Sequence, residues 1–213
     1  MIPYESLGMA TREPVVFIVD DDFAVRDSLG LSLHSVGYRV KCCESVNAFL
    51  RAYEPNQPGC VVLDVCMPES TGLELQEYLA SQEVDIPIIF ITGHADVPTA
   101  VRAVKQGAVD FLLKPFNFET LLECVHKAIG LDQIKRTERA QRDTIEKRLA
   151  SLTPRERDVL NQVIEGKLNK VIAAELGVSI RTVEIHRARI MAKMRVRRAT
   201  ELARLVLKLR RSS

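Results

Sequence analysis

Short apolar runs and longer amphipathic stretches alternate along the first part of the chain. The short runs are rich in β-branched residues and predict strands at 15–20, 38–43, 60–65, 86–92 and 109–114. The stretches between them carry apolar residues at helical spacing and predict helices at 25–36, 46–53, 72–80, 97–108 and 118–129. This alternation predicts an α/β domain: a five-stranded parallel, doubly wound sheet with helices on both faces.

The stretch that follows is mostly charged. Residues 131–150 contain no proline and predict a long linker helix that continues the preceding one. Its apolar stripe is thin and consists of Ile134, Ile145 and Leu149. Two interpretations stay open, an exposed solvated spacer and a coiled-coil seam with a poor heptad pattern.

The remainder of the chain predicts an all-α domain of four short helices. Thr153 and Glu156 form a capping box, so the first helix begins at about residue 154. Gly166 and Gly177 end the first and second helices, and Ser179 caps a third, basic helix. A short helix, a glycine-containing turn and a basic helix form the pattern of a helix-turn-helix unit.

Charge divides the chain at nearly the same place. Residues 1–130 carry 9 Lys and Arg against 18 Asp and Glu, a net −9, whereas residues 131–213 carry 21 against 10, a net +11. An acidic half can host a cation, and a small basic half indicates a nucleic-acid surface. The predicted organisation is a flexible tail (1–13), an α/β domain (14–130), a helical linker (131–150) and a helix-turn-helix domain (151–213).

Composition excludes several classes of protein. The five cysteines form no CxxC pair, and the N-terminus lacks the layout of a signal peptide, so disulfides and structural zinc are not expected. No apolar stretch approaches the roughly 18–20 residues of a membrane span. We therefore expect a reduced, soluble, cytoplasmic protein without a membrane partner.

Acidic and polar residues lie at the ends of four predicted strands. Asp20 and Asp21 follow the first strand, and Asp64, Thr92 and Lys114 lie at the ends of the third, fourth and fifth. Ligands of parallel sheets bind at this edge, carboxylates favour Mg²⁺, and Mg²⁺ indicates a phosphoryl group. Asp64 is the candidate nucleophile, Lys114 can neutralise the phosphoryl oxygens, and Thr92 can donate to one of them.

The motifs at these positions resemble a known domain. The acids at the end of FIVDDD, together with LDVCMP, FITGH and DFLLKPF, resemble in order and spacing the receiver domain of two-component response regulators. The resemblance implies phosphorylation of Asp64, contact of Lys114 and Thr92 with the phosphoryl group, and a switch pair of Thr92 and Phe111. The implied Mg²⁺ ligands are Asp20, Asp21, Asp64 and the backbone carbonyl of Cys66.

Two further side chains flank the expected water path to the acyl phosphate. Cys66 and His94 lie two positions beyond Asp64 and Thr92 respectively. We hypothesise that both tune the lifetime of the phosphorylated state.

The basic half resembles the LuxR-type helix-turn-helix through SLTPRERDVL, GKLNKVIAAELGVS and RTVEIHRARIMAKMRV, and the whole chain resembles the FixJ/NarL class. The match departs at Leu168 and Arg198, where serine is common in the family. On the third helix Val183, Ile190 and Met194 are predicted to face inward. The predicted DNA contacts, to bases or phosphates, are Lys170, Arg181, Thr182, Glu184, Ile185, His186, Arg187, Ala188, Arg189 and Lys193.

These features predict a transcriptional response regulator rather than an enzyme. A sensor histidine kinase would phosphorylate Asp64, the receivers would pair as a homodimer, and two helix-turn-helix units would bind paired half-sites of double-stranded DNA. RNA polymerase is a further candidate partner. The alternative is a phosphorylation-independent DNA-binding regulator whose receiver is only a dimerisation module. An aspartate-nucleophile phosphatase is disfavoured because Cys66 stands where its general acid would be.

Overall fold

The structure is a computed structural model that describes residues 12–68, 70–93 and 97–211. The chain divides into two compact units, Met1–Lys135 and Arg136–Ser213, called here the N-terminal and C-terminal units. Each unit has its own hydrophobic core. Most of the tail predicted at 1–13 lies outside the described residues.

The N-terminal unit contains a parallel sheet. Its strands are β1 (Val15–Val19), β2 (Arg39–Cys43), β3 (Gly59–Asp64), β4 (Ile88–Thr92) and β5 (Asp110–Leu113). Their order across the sheet is β2-β1-β3-β4-β5, and every neighbouring pair is parallel. The helices between and after them are α1 (Phe23–Ser35), α2 (Val46–Ala52), α3 (Gly72–Ser81), α4 (Val97–Lys105) and α5 (Phe118–Ala150). The predicted α/β fold class is confirmed.

The central strands β1, β3 and β4 are buried along their whole length. On β1, alternate side chains enter opposite cores: Val15, Phe17 and Val19 pack on one face of the sheet, and Val16 and Ile18 on the other. A strand buried on both faces has no polar side. This explains why these strands appear in the sequence as nearly continuous apolar runs.

The C-terminal unit is helical. Its further helices are α6 (Pro154–Ile164), α7 (Asn169–Leu176), α8 (Ile180–Met194) and α9 (Ala199–Arg211). The capping box of Thr153 and Glu156 forms at the start of α6, Gly177 ends α7 in the left-handed conformation, and Ser179 caps α8. These local signals correctly placed the helix boundaries. Within the described part of the chain, no helix combines the length and hydropathy that crossing a bilayer requires.

Helix α5 extends through the predicted linker, so the predicted linker helix is confirmed. Its surroundings differ from an exposed spacer at both ends. The carboxylate of Asp132 is buried and accepts a hydrogen bond from the backbone N–H of Gly59 at 3.0 Å. Ile145 and Leu149 pack against the core of the C-terminal unit, whereas Ile134 is exposed. The linker is therefore mostly exposed along its length, but a few side chains near each end anchor it to a unit.

Candidate functional site

The carboxyl edge of the sheet gathers polar residues that follow different strands. Asp20, directly after β1, is fully buried, and Asp64, the last residue of β3, is nearly so. Lys114 follows β5, and its ammonium group donates to Oδ2 of Asp20 at 2.6 Å and to Oδ2 of Asp64 at 3.3 Å. One cation thus lies between two buried carboxylates and offsets the repulsion between them.

These contacts perturb the ionisation of Asp64 and Lys114. Burial raises the pKa of the Asp64 carboxyl group, while the positive charge of Lys114 opposes that rise. Burial by itself would lower the pKa of Lys114, but the hydrogen bonds and charges of Asp20 and Asp64 outweigh it and the pKa is raised. Lys114 therefore stays an ammonium ion at neutral pH.

The three consecutive aspartates occupy different environments. The backbone N–H of Asp22 donates to Oδ1 of Asp20 at 2.9 Å, while the carboxylate of Asp22 caps α1 by accepting from the backbone N–H of Ala24 at 2.8 Å. Asp21 is exposed, and one carboxylate oxygen from each of Asp20, Asp21 and Asp64 lies within 4.8 Å of the others. Three oxygens at this separation can reach a common cation.

Two contacts that position the site were not predicted from the sequence. The guanidinium of Arg26 donates to the backbone carbonyl of Asp20 at 2.6 Å. Gly72, at the start of α3, leaves no space for a side chain, because a Cβ atom there would lie 2.4 Å from the carbonyl oxygen of Asp64. Neither contact follows from a local pattern, because the first depends on how α1 packs beside β1 and the second on how α3 begins beside β3.

Thr92, the last residue of β4, is fully buried at the same edge. Its carbonyl oxygen accepts from the backbone N–H of Lys114 at 2.7 Å, which joins the ends of β4 and β5. The Sγ atom of Cys66 lies 3.9 Å from Oγ1 of Thr92, and the backbone N–H of Cys66 donates to Oδ1 of Asp64 at 3.3 Å. The sheet edge therefore brings Thr92 and Cys66 to the acidic cluster.

The second predicted switch residue lies one strand further along the sheet. Phe111 on β5 is half-buried against the core, with its ring centroid 6.2 Å from that of Phe90 on β4. His94 lies outside the described residues.

Helix α8 of the C-terminal unit has one buried and one exposed face. Val183, Ile190 and Met194 are buried, as predicted from their spacing. The opposite face carries exposed residues at intervals of three and four, which lie on one side of a helix. They are Arg181, Glu184, Ile185 and Ala188.

The other predicted DNA contacts lie around this exposed face. Lys170, near the start of α7, and Arg189 are exposed, while Thr182, His186 and Arg187 are half-buried. Arg181 lies 3.6 Å from Glu184 in an ion pair on the helix surface. Lys193, in contrast, is held within the unit: its Nζ atom donates to Oε2 of Glu156 at 2.7 Å.

Both units match known families. The response regulator receiver domain matches residues 16–126, and the bacterial regulatory proteins of the luxR family match residues 150–206. The chain belongs to the response regulators that join a receiver domain to a LuxR-type helix-turn-helix domain. The resemblance inferred from the motifs is confirmed.

Individual relatives match nearly the whole chain. The response regulator protein TmoT of Ectopseudomonas mendocina is 44% identical over 204 residues, covering 96% of this chain and 93% of that protein. The transcriptional regulatory protein FixJ of Bradyrhizobium diazoefficiens is 43% identical over 198 residues, covering 93% and 97%. The solved structure of the response regulator StyR matches with a TM-score of 0.85 at 44% identity, covering 92% of this chain and 99% of that one. These relatives are regulators, not enzymes.

Proposed function

We propose that this protein is a DNA-binding transcriptional regulator that is switched by phosphoryl transfer from a sensor histidine kinase to Asp64. The observation that supports this most directly is the Asp64 carboxylate beside the Lys114 ammonium group and a second buried carboxylate, that of Asp20. Burying charges is costly. A receiver used only for dimerisation has no need of such a cluster.

In this proposal Asp64 is the nucleophile. Its carboxylate oxygen attacks the phosphorus of a phosphohistidine and the P–N bond breaks, while the departing imidazole nitrogen keeps the bonding electron pair and takes a proton from solvent. The product is an acyl phosphate on Asp64. Lys114 neutralises charge on the phosphoryl oxygens, and the hydroxyl group of Thr92 donates to one of them. Slow attack of water on the acyl phosphate resets the regulator.

The donor atoms at the sheet edge fit Mg²⁺. Carboxylate oxygens within 4.8 Å of one another provide the hard ligands that this cation prefers, with water completing its shell. When bound, Mg²⁺ supplies positive charge that stabilises the phosphoryl group during transfer. The proposed ligands are Asp20, Asp21, Asp64 and the backbone carbonyl of Cys66.

We infer that phosphorylated receivers pair through α4 and β5. Val97, Val101 and Val104 on α4, and Leu113 on β5, are all exposed apolar residues. Removal of this apolar surface from water would favour a dimer. Thr92 and Phe111 would couple phosphorylation to this surface, since they lie on β4 and β5 next to it.

The exposed face of α8 is the proposed reader of DNA sequence. Glu184 can accept from a cytosine amino group, and Ile185 and Ala188 can contact thymine methyl groups in the major groove. Two such helices in a dimer would bind paired half-sites, and RNA polymerase is a further candidate partner at a promoter. Basic residues around the face would contact phosphates and set affinity and register; they are Lys170, Arg181, Arg187 and Arg189, with Thr182 and His186 as polar neighbours.

DNA binding and oligomer size, measured with and without beryllofluoride and Mg²⁺, test the proposal. Beryllofluoride mimics an acyl phosphate when it binds an aspartate. We expect the wild-type protein to dimerise and to bind duplex DNA more tightly when both are added. Asp64→Asn, which cannot form the complex, should respond to neither addition.

The same experiment separates the alternative function. If wild type and Asp64→Asn bind DNA equally under all conditions, the protein is a phosphorylation-independent regulator and its receiver is a dimerisation module. If neither protein binds DNA under any condition, the proposed DNA-binding function of the helix-turn-helix domain is wrong.

A further inference from the structure

The last turn of α8 is joined to the end of α5 and the start of α6. Lys193 donates from Nζ to Oε2 of Glu156 at 2.7 Å and to the carbonyl oxygen of Ser151 at 3.0 Å. The side chain of Glu156 is 3% exposed, and that of Lys193 is 35% exposed. A carboxylate buried to this extent needs a cationic or hydrogen-bonding partner. Lys193 is its cationic partner.

Glu156 is also held from its own helix end. Its Oε2 atom accepts from the backbone N–H of Thr153 at 2.9 Å, which completes the capping box of α6. The hydrogen bond from Lys193, together with that from Thr153, holds the pKa of Glu156 below its ordinary value. The carboxylate is thus fixed in position, and it fixes the Lys193 ammonium group in turn.

A second link joins the same two helix ends. Arg148, in the last turn of α5, donates from Nη1 to the carbonyl oxygen of Met194 at 3.2 Å. Met194 is the last residue of α8 and is fully buried. The final carbonyl groups of a helix have no partner within it, so a cationic donor at this point stabilises the helix end.

We propose that Lys193 is a positioning residue for DNA recognition rather than a phosphate contact: together with Arg148 it fixes the end of α8 to the α5–α6 junction. The inference rests on the proposed DNA-binding function. The base-reading residues Glu184, Ile185 and Ala188 lie on the same helix, roughly 8–14 Å before Lys193 at about 1.5 Å per residue. A shift of the helix end therefore displaces them as well.

Positioning and phosphate contact have different consequences for binding. Base-edge hydrogen bonds require placement to within about 0.5 Å, so loss of a positioning residue weakens binding to a preferred sequence more than to mixed-sequence DNA. Loss of a phosphate contact weakens both about equally and reduces the salt dependence of log K by about 0.9 per contact.

The test measures these two quantities on the full-length protein with acetyl phosphate and Mg²⁺. One labelled duplex is selected by the wild-type protein from a randomised library, and the other has mixed sequence. Dissociation constants are measured over a salt series for Lys193→Met, Glu156→Gln and the double variant. Glu156→Gln keeps an acceptor for the cap of α6 while removing the charge that holds Lys193. Arg189→Met, on the same helix, is the matched control for a phosphate contact.

We expect Lys193→Met and Glu156→Gln each to weaken binding to the selected duplex about tenfold more than to the mixed duplex, the scale of losing one base contact. Their salt dependence should equal that of wild type, and the double variant should bind no more weakly than the weaker single variant. Arg189→Met should weaken binding to both duplexes and reduce the salt dependence by about 0.9.

Other outcomes overturn the inference. If Lys193→Met behaves like Arg189→Met while Glu156→Gln binds like wild type, Lys193 contacts a phosphate. If Lys193→Met fails to fold, as judged by circular dichroism, Glu156→Gln and Arg148→Met test the same junction. Wild-type DNA binding by both of these variants would contradict the inference. If the wild-type protein selects no duplex, the proposed DNA-binding function fails, and this inference fails with it.

Discussion

At the residue scale, the three adjacent aspartates have different roles: the third stabilises a helix, and the first two belong to the site of the proposed phosphoryl chemistry. Asp20 is paired with Lys114, Asp21 is exposed beside the other two carboxylates of the cluster, and Asp22 caps α1. Three like charges in sequence are compatible with folding because Asp20 is paired with a cation, Asp22 accepts from backbone N–H groups, and Asp21 is exposed to solvent. Substitution of the third should therefore affect folding free energy more than phosphoryl acceptance.

We expect Asp22→Ala to lower the free energy of unfolding of the N-terminal unit by about 1 kcal/mol, because two N–H groups at the start of α1 lose their acceptor. Urea unfolding followed by hydrogen exchange would measure the change. Asp22→Asn is the control, since asparagine is an equally good cap. Equal destabilisation by both variants, or loss of the beryllofluoride response in Asp22→Ala, would contradict this assignment.

Leu168 presents the opposite case, a cap position without a capping side chain. It has the extended backbone of a cap residue at the start of α7 but forms no side-chain hydrogen bond, and it is 74% exposed. Leu168→Ser should raise the free energy of unfolding of the C-terminal unit by about 1 kcal/mol. Leu168→Ala removes the same apolar side chain without adding an acceptor, so the expectation fails if serine and alanine give the same stability.

At the scale of elements, the extension of α5 beyond residue 130 contributes to the N-terminal unit through one buried group. The Asp132 carboxylate accepts from the backbone N–H of Gly59, which begins β3. Lys135, one turn later, forms an exposed ion pair with Asp85 at 2.6 Å. The buried contact should contribute more to the free energy of unfolding than this ion pair, because exposed ion pairs contribute little.

Accordingly, Asp132→Ala should reduce the free energy of unfolding by about 1–3 kcal/mol, since the buried N–H of Gly59 loses its acceptor. Asp132→Asn retains a carbonyl oxygen at the same place and should reduce the free energy of unfolding by less than Asp132→Ala does. Lys135→Ala should stay within about 0.5 kcal/mol of wild type. Chemical denaturation of the three variants measures this order. If Asp132→Ala and Lys135→Ala reduce the free energy of unfolding equally, the buried carboxylate is not the main contact of this part of α5.

At the scale of the whole molecule, the proposed switch requires that phosphorylation on one edge of the sheet changes association of two chains. The exposed valines of α4 provide a test of the proposed pairing surface. An exposed leucine on α1, outside that surface, serves as the control. Val101 is 45% exposed and Leu31 is 65% exposed. If exposed apolar area alone decided where the receivers pair, a charge at Leu31 would weaken dimerisation more than a charge at Val101.

We expect Val101→Asp to weaken beryllofluoride-dependent dimerisation at least tenfold, about 1.4 kcal/mol, because a charge would be buried in the pairing surface. Leu31→Asp should dimerise like wild type. Analytical ultracentrifugation over a concentration series measures both. If Leu31→Asp prevents pairing and Val101→Asp does not, the receivers pair through a different face.

The sequence by itself determined the features that arise from neighbouring residues. Periodicity predicted the order of strands and helices, because the exposure of a side chain repeats with the geometry of its own element. Thr153, Ser179 and Gly177 marked helix ends because caps act over a few residues. The candidate site was also predictable, since parallel strands bring their carboxyl ends to one edge. The roles of Asp64, Lys114 and the DNA-facing residues stay predictions.

Only the tertiary structure decided which distant groups meet. The sequence places Asp132 on a mostly charged linker helix, where a solvated position is the usual expectation, assigns Glu156 only to the capping box of its own helix, and predicts Lys193 as a DNA contact. The fold instead buries Asp132 against Gly59, 73 residues away, and pairs Glu156 with Lys193, 37 residues away. Periodicity reports how exposed a face is on average. The partner of one buried charge depends on how elements far apart in the chain pack together, and no local pattern encodes that packing.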